Sequence, residues 1–90
     1  MKKKLVVKIY GKVQGVFFRD SSRIQAQEFG LSGWVRNEPD ETVRMMAEGE
    51  DKNLKKFIEW CKYGPDHAEV ERVDVKWLPF AGEFIDFVIK

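Results

Sequence analysis

The period of the hydrophobic pattern changes four times along this chain, and that order constrains the fold more than any other feature. Leu5, Val7 and Ile9 alternate with Val6, Lys8 and Tyr10, the pattern of a half-buried strand. Phe18, Ser22, Ala26 and Phe29 then fall on one helical stripe, with Gly30 placed to end the helix in the left-handed region. Alternation returns in Leu31, Gly33, Val35 and Asn37 and again in Val43, Met45 and Ala47, with "EPDE" as a tight turn between the two strands. Asp51 is expected to cap a second helix whose stripe is Leu54, Phe57, Ile58 and Cys61, closed by Gly64 and Pro65. Val73, Val75 and Trp77 alternate with charged residues in a fourth strand, and "EFIDFVIK" supplies a last, less clearly phased one.

Strand, helix, strand, strand, helix, strand is the order of an α+β, ferredoxin-like βαββαβ sandwich. In that fold two helices cover one face of an antiparallel sheet, and here an extra C-terminal strand follows. At 90 residues the chain has room for one such domain, spanning 1–90, and no linker or repeat divides it.

Composition excludes several classes of function. A formal charge of +1, from 16 basic and 15 acidic residues, gives no overall basic field for nucleic acid. The lone Cys61 excludes an intrachain disulfide and any four-cysteine metal site, which fits a reducing, cytoplasmic location. Lys8 and Lys12 interrupt the N-terminal apolar run before it resembles a signal peptide, and no stretch approaches the ~18 apolar residues of a membrane span. With 34% charged residues and few Asn and Gln, the composition leans towards a heat-adapted protein.

"YGKVQGVFFRD" holds more than a connection between strand and helix requires, since it adds spaced glycines and an arginine at the helix entrance. In a strand-helix-strand unit, the C-terminal ends of both strands and the N-terminus of the helix meet at one sheet edge. Gly11 to Arg19 and Asn37 must therefore converge, and Asn37 shares the parity of inward Val35. A glycine-containing loop leading into a helix directs backbone N–H groups at a common point, where the helix adds partial positive charge. Arg19 brings a planar fork suited to two oxygens of a phosphate, and Asn37 an amide that can donate to an oxyanion or accept from a water. From the residues alone this is a phosphate-sized anion site, with binding and catalysis both open.

"GKVQGVFFR" followed by "GWVRN" resembles the paired signature of the acylphosphatases, small enzymes that hydrolyse carboxyl-phosphate mixed anhydrides. The similarity runs from about Leu5 to Lys90 and takes in Ala26, the Asp40 to Val43 turn, "F-I-EW" in the second helix and "GP-HA-V" near Gly64. The resemblance implies the same fold and the hydrolysis of a small-molecule acyl phosphate by a monomer. Inorganic phosphate would be product and inhibitor, and no cofactor or metal, nucleic acid or membrane would take part. It further implies that Arg19 binds the phosphoryl group together with the loop of Gln14, Gly15, Val16, Phe17 and Phe18, and that Asn37 holds the attacking water. Glu41 stands where the family's turn has glycine, and Arg44 where an acidic or amide residue is more common.

Rival chemistries fail on spacing. A cysteine phosphatase needs an arginine six residues after its nucleophile, and His67 occupies that place after Cys61, which itself lies on the core stripe. His67 and Asp66 form a pair without the further ligands of a metal site, and no Gly-x-x-x-x-Gly-Lys-Ser/Thr loop is present for nucleotides. Phe17, Phe18, Trp34 and Trp77 could offer stacking faces to single-stranded RNA, but the glycine-aromatic pattern of that motif is missing and most of these rings read as packing. Related domains also occur inside larger proteins that handle carbamoyl phosphate; a chain carrying only this domain favours the free enzyme.

Overall fold

In the computed structural model, which describes residues 1–90, the chain forms seven elements. These are β1 (Lys2–Lys12), α1 (Phe18–Glu28), β2 (Ser32–Asn37), β3 (Val43–Glu50), α2 (Asp51–Cys61), β4 (Glu69–Pro79) and β5 (Phe87–Ile89). The strands make one sheet in the order β4-β1-β3-β2-β5. β1 runs antiparallel to both β3 and β4, and β2 antiparallel to β3, which is the expected ferredoxin-like arrangement.

These four strands make the expected antiparallel sheet, and the extra C-terminal strand, whose direction the sequence does not specify, joins its edge. β5 pairs with β2 in parallel, Gly33 opposite Phe87 and Val35 opposite Ile89, so the sheet is mixed. Connectivity is the reason: β4 delivers the chain to the edge opposite the N-terminus of α1, and a strand laid beside β2 from there must run in the direction of β2. The crossing is held by Glu48, only 1% exposed, whose carboxylate accepts the N–H groups of Ala81, Gly82 and Glu83 at 2.8, 3.0 and 3.1 Å. Burial alone would raise the pKa of Glu48, but the three backbone donors and nearby Lys4 outweigh it, and the net shift is downward.

The core follows the period change. Leu5, Val7, Ile9, Val35, Val43, Met45 and Ala47 are fully buried on the helix-covered face, with Val7 opposite both Met45 and Val75. Onto them α1 packs Phe18, Ser22 and Ala26, and α2 packs Leu54, Phe57 and Cys61. Each large apolar side chain buried in this way contributes about 1.5–3 kcal/mol. Phe18, Trp60, Phe57 and Phe87 form a chain of ring contacts with successive centroids 5.5, 6.1 and 6.0 Å apart, joining the start of α1 through α2 to β5. Gly64, left-handed at φ 69°, ends the turn after α2, and its missing Cβ leaves room for the Phe18 ring.

Three local expectations are corrected. Glu50 takes the cap position of α2, with Asp51 the first helical residue, because the N-terminal ammonium pairs with Glu50 at 2.9 Å and the Asp51 N–H bonds to the Met1 carbonyl. Trp77 shares the face of Val73 and Val75 but is 40% exposed, since β4 is an outer strand with a neighbour on one side only. Phe17, grouped in sequence with the packing aromatics, is 72% exposed, whereas Phe18 and Trp34 are buried. No helix is long and apolar enough to cross a membrane.

Candidate active site

The segment between β1 and α1 is shaped by two left-handed residues, Gly15 at φ 74° and Phe17 at φ 63°. Alternating backbone handedness of this kind turns successive N–H groups towards one concavity. None of the backbone N–H groups of Gln14, Gly15, Val16 and Phe17 donates to a protein acceptor. The first bond of α1 is from the Ser21 N–H to the Phe17 carbonyl, 3.0 Å, so helix geometry leaves the N–H groups of Phe18, Arg19 and Asp20 without an intrahelical partner. A run of backbone donors therefore surrounds the positive end of a helix dipole.

Arg19 stands on the first turn of α1, exposed, with no carboxylate within ion-pairing distance of its guanidinium. Asn37 is the last residue of β2, and its Oδ1 is buried without a hydrogen-bond partner. An amide oxygen in that position costs about 1–3 kcal/mol unless something donates to it. Arg19 and Asn37 line one cleft of about 330 Å³ together with Val13, Gly15, Phe17, Phe18, Asp20 and Ile89.

Of the residues expected at the site, Gly15, Phe17, Phe18, Arg19 and Asn37 are thus brought together, while the side chains of Gln14 and Val16 are not. Val16 is 7% exposed and packs into the core. Gln14 turns its amide the other way, donating to the carbonyls of Glu38 and Thr42, both at 2.9 Å, which ties the loop to the β2–β3 turn. That turn is itself braced: Asp40 accepts from Thr42 and pairs with Lys8 at 2.8 Å, and these contacts, Lys8 first, hold its carboxyl well below the usual carboxylate range.

Val13, Asp20 and Ile89 were not singled out in the sequence. Asp20 adjoins Arg19 and could have been read as part of the same helix entrance. Ile89 was hidden because its place depends on the direction of β5. The rival candidates lie elsewhere: Cys61 is fully buried and burial pushes its thiol pKa up, away from a nucleophilic thiolate, and His67 is exposed outside the cleft. No group of three His, Cys, Asp or Glu side chains is arranged to hold a metal ion.

The edge of this α+β sandwich thus gathers unmatched backbone donors, an unpaired arginine and an asparagine oxygen without a partner. Comparison with known proteins makes the class specific: the acylphosphatase family model matches residues 5–89, and the chain belongs to that family of hydrolytic enzymes. An acylphosphatase of Marinobacter nauticus is 51% identical over 79 residues, covering 88% of this chain and 86% of that one. The structure of an acylphosphatase from Coxiella burnetii superposes with a TM-score of 0.94 at 36% identity, over 99% of this chain and 93% of its own. That of the acylphosphatase from Bacillus subtilis gives 0.95 at 31% identity, over 100% and 99%.

Proposed function

We propose that this chain hydrolyses acyl phosphates to carboxylate and inorganic phosphate, by direct attack of water on the phosphoryl group. In this reading the Arg19 fork and the N–H groups of Gln14 to Phe18 bind the phosphoryl oxygens, and Asn37 Oδ1 accepts a hydrogen bond from the attacking water. The observation that carries it is the conjunction in one cleft of an unpaired arginine and an asparagine whose Oδ1 has no protein partner, bordered by backbone donors.

Phosphoryl transfer passes through a loose transition state, so the protein's work is positioning and stabilisation of charge on the equatorial oxygens. The leaving carboxylate, with a conjugate-acid pKa near ~4, departs as a stable anion without an acid catalyst. Water supplies the new P–O bond as the acyl C–O–P bridge breaks on the phosphorus side, and both its protons end on phosphate. A dianionic acyl phosphate and water become a carboxylate and a monoanionic phosphate, so charge balances with no enzyme group changing protonation. In the same reading the protein acts as a monomer in the cytoplasm, with inorganic phosphate as a competitive product inhibitor and no metal or cofactor assigned.

Turnover of benzoyl phosphate by the purified protein in 18O-labelled water tests the reading. The label is expected in inorganic phosphate. Label in benzoate would mean attack at the carbonyl carbon, and no turnover above buffer would leave a phosphate-binding domain.

A further inference from the structure

The cleft extends beyond the groups that would hold phosphate, and its remaining wall is not neutral in character. Phe17 is 72% exposed although it is a large apolar residue, and it is held there by a left-handed backbone that glycine would adopt with less strain. Ile89 reaches the same cleft by a different route. It shares with Phe87 the helix-covered face of β5, but where Phe87 is 1% exposed, Ile89 lies at the open end of the strand and is 36% exposed. The parallel pairing with β2 is what brings that end of β5 to the edge where Asn37 sits. Asp20 adds a carboxylate to the same lining, unpaired with any cation.

Resting on the acyl-phosphate reading of the site, we infer that Phe17 and Ile89 form the seat of the acyl group and set its chemistry. Acyl phosphates with an uncharged, apolar acyl group of aromatic or branched type are favoured over those with a small acyl group or a second anionic group. With the phosphoryl group on Arg19 and the loop, the acyl part is left to the rest of the cleft lining, where Phe17 and Ile89 are the exposed apolar side chains. An apolar group there covers the exposed ring and Ile89 and releases their hydration water. A carboxylated acyl group brings its charge near Asp20 and must also lose its own water against apolar side chains. Asp20 also has a structural role open to it, since an acidic residue in the first turn of a helix offsets the helix dipole. The substrate ratios below respond only to contact with the acyl group.

The test compares kcat/KM for benzoyl, acetyl and succinyl phosphate in the wild type, Ile89→Ala, Ile89→Leu and Asp20→Asn. A ratio between two substrates measured on one sample does not depend on the fraction folded, so loss of stability in a variant cannot imitate the effect. The benzoyl-to-acetyl ratio should fall about five-fold in Ile89→Ala, the scale of losing part of an apolar contact in a half-open cleft, and should be largely kept in Ile89→Leu. The succinyl-to-benzoyl ratio should rise several-fold in Asp20→Asn, and in the wild type it should also rise with salt as the repulsion is screened. An unchanged benzoyl-to-acetyl ratio in Ile89→Ala, with all three substrates turned over, would overturn this inference and leave the hydrolytic reading intact. No turnover of any acyl phosphate would remove both.

Discussion

The side-chain amide of Gln14 donates to the carbonyl of Glu38, 2.9 Å away and one residue beyond Asn37 in the chain. The loop carrying the backbone donors and the strand end carrying Asn37 are therefore fixed to each other by a polar clamp, with the Thr42 carbonyl as its second acceptor. Gln14→Leu removes both bonds; the Glu38 carbonyl keeps the Glu41 N–H and the Thr42 carbonyl the Glu38 N–H, so the cost in stability should be about 1–3 kcal/mol, the net worth of two hydrogen bonds. Because the relative placement of loop and Asn37 also loosens, kcat/KM should fall by an order of magnitude, on the scale expected of small misplacements in an active site. Thermal melts and steady-state kinetics on the same preparation check both; full activity would show that the clamp does not position the site.

Glu41 supplies a second prediction. It closes the β2–β3 turn with φ 73°, a left-handed conformation that is unfavourable for a side-chain-bearing residue. Glu41→Gly relieves that strain, against the greater freedom of glycine in the unfolded chain. The net gain in stability should be about 0.5–1 kcal/mol, read from denaturant midpoints. Glu41 does not line the cleft, so kcat should stay within two-fold.

Acid should act through Glu48. Its folded pKa lies below the ordinary value of 4.5, so its contribution is present above that value and is lost as pH falls through the folded pKa. The wild type should accordingly lose melting temperature on acidification below about pH 4.5, and Glu48→Gln should lose less over the same interval. At neutral pH Glu48→Gln should already be less stable by about 1–3 kcal/mol, since a charged acceptor is replaced by a neutral one that must also bury its amide donors. Parallel acid limbs in the two proteins would show that the clasp on residues 81–83 does not depend on charge.

The convergence of Arg19 and Asn37 was legible in the sequence because it rests on two strong regularities: the handed strand-helix-strand connection, and the parity of Val35 and Asn37. The same logic did not reach Ile89, whose position depends on which edge of the sheet the last strand joins. A three-residue strand after a seven-residue crossing carries too little pattern to say so. Glu48 falls on the outward parity of β3 and reads as solvated; only the crossing of residues 81–83 over it makes it a buried clasp. Phe17 and Phe18 are adjacent and alike in composition, and a single left-handed residue sends one ring to solvent and the other to the core. Backbone handedness in a loop leaves no period to read.

Rate should be nearly independent of pH between 5 and 8, because neither a guanidinium nor an amide titrates there and the proposed chemistry uses no acid or base. A chelator should not lower the rate. His67→Ala should keep turnover within a few-fold, as should Cys61→Ser, which costs stability by burying a hydroxyl but removes no reacting group. A limb near pH 6.5 that vanishes in His67→Ala would make the histidine a participant.

The roles given to Arg19 and Asn37 separate most directly in the inhibition constant of inorganic phosphate. Phosphate occupies the arginine and the loop donors but has no need of the amide that orients water, so Asn37→Ala should lose kcat by about 100-fold or more while the constant stays within two- to three-fold of wild type. In Arg19→Lys the compact ammonium cannot supply two parallel donors, and the constant should rise at least ten-fold. Loss of phosphate inhibition in Asn37→Ala with its retention in Arg19→Lys would contradict the account.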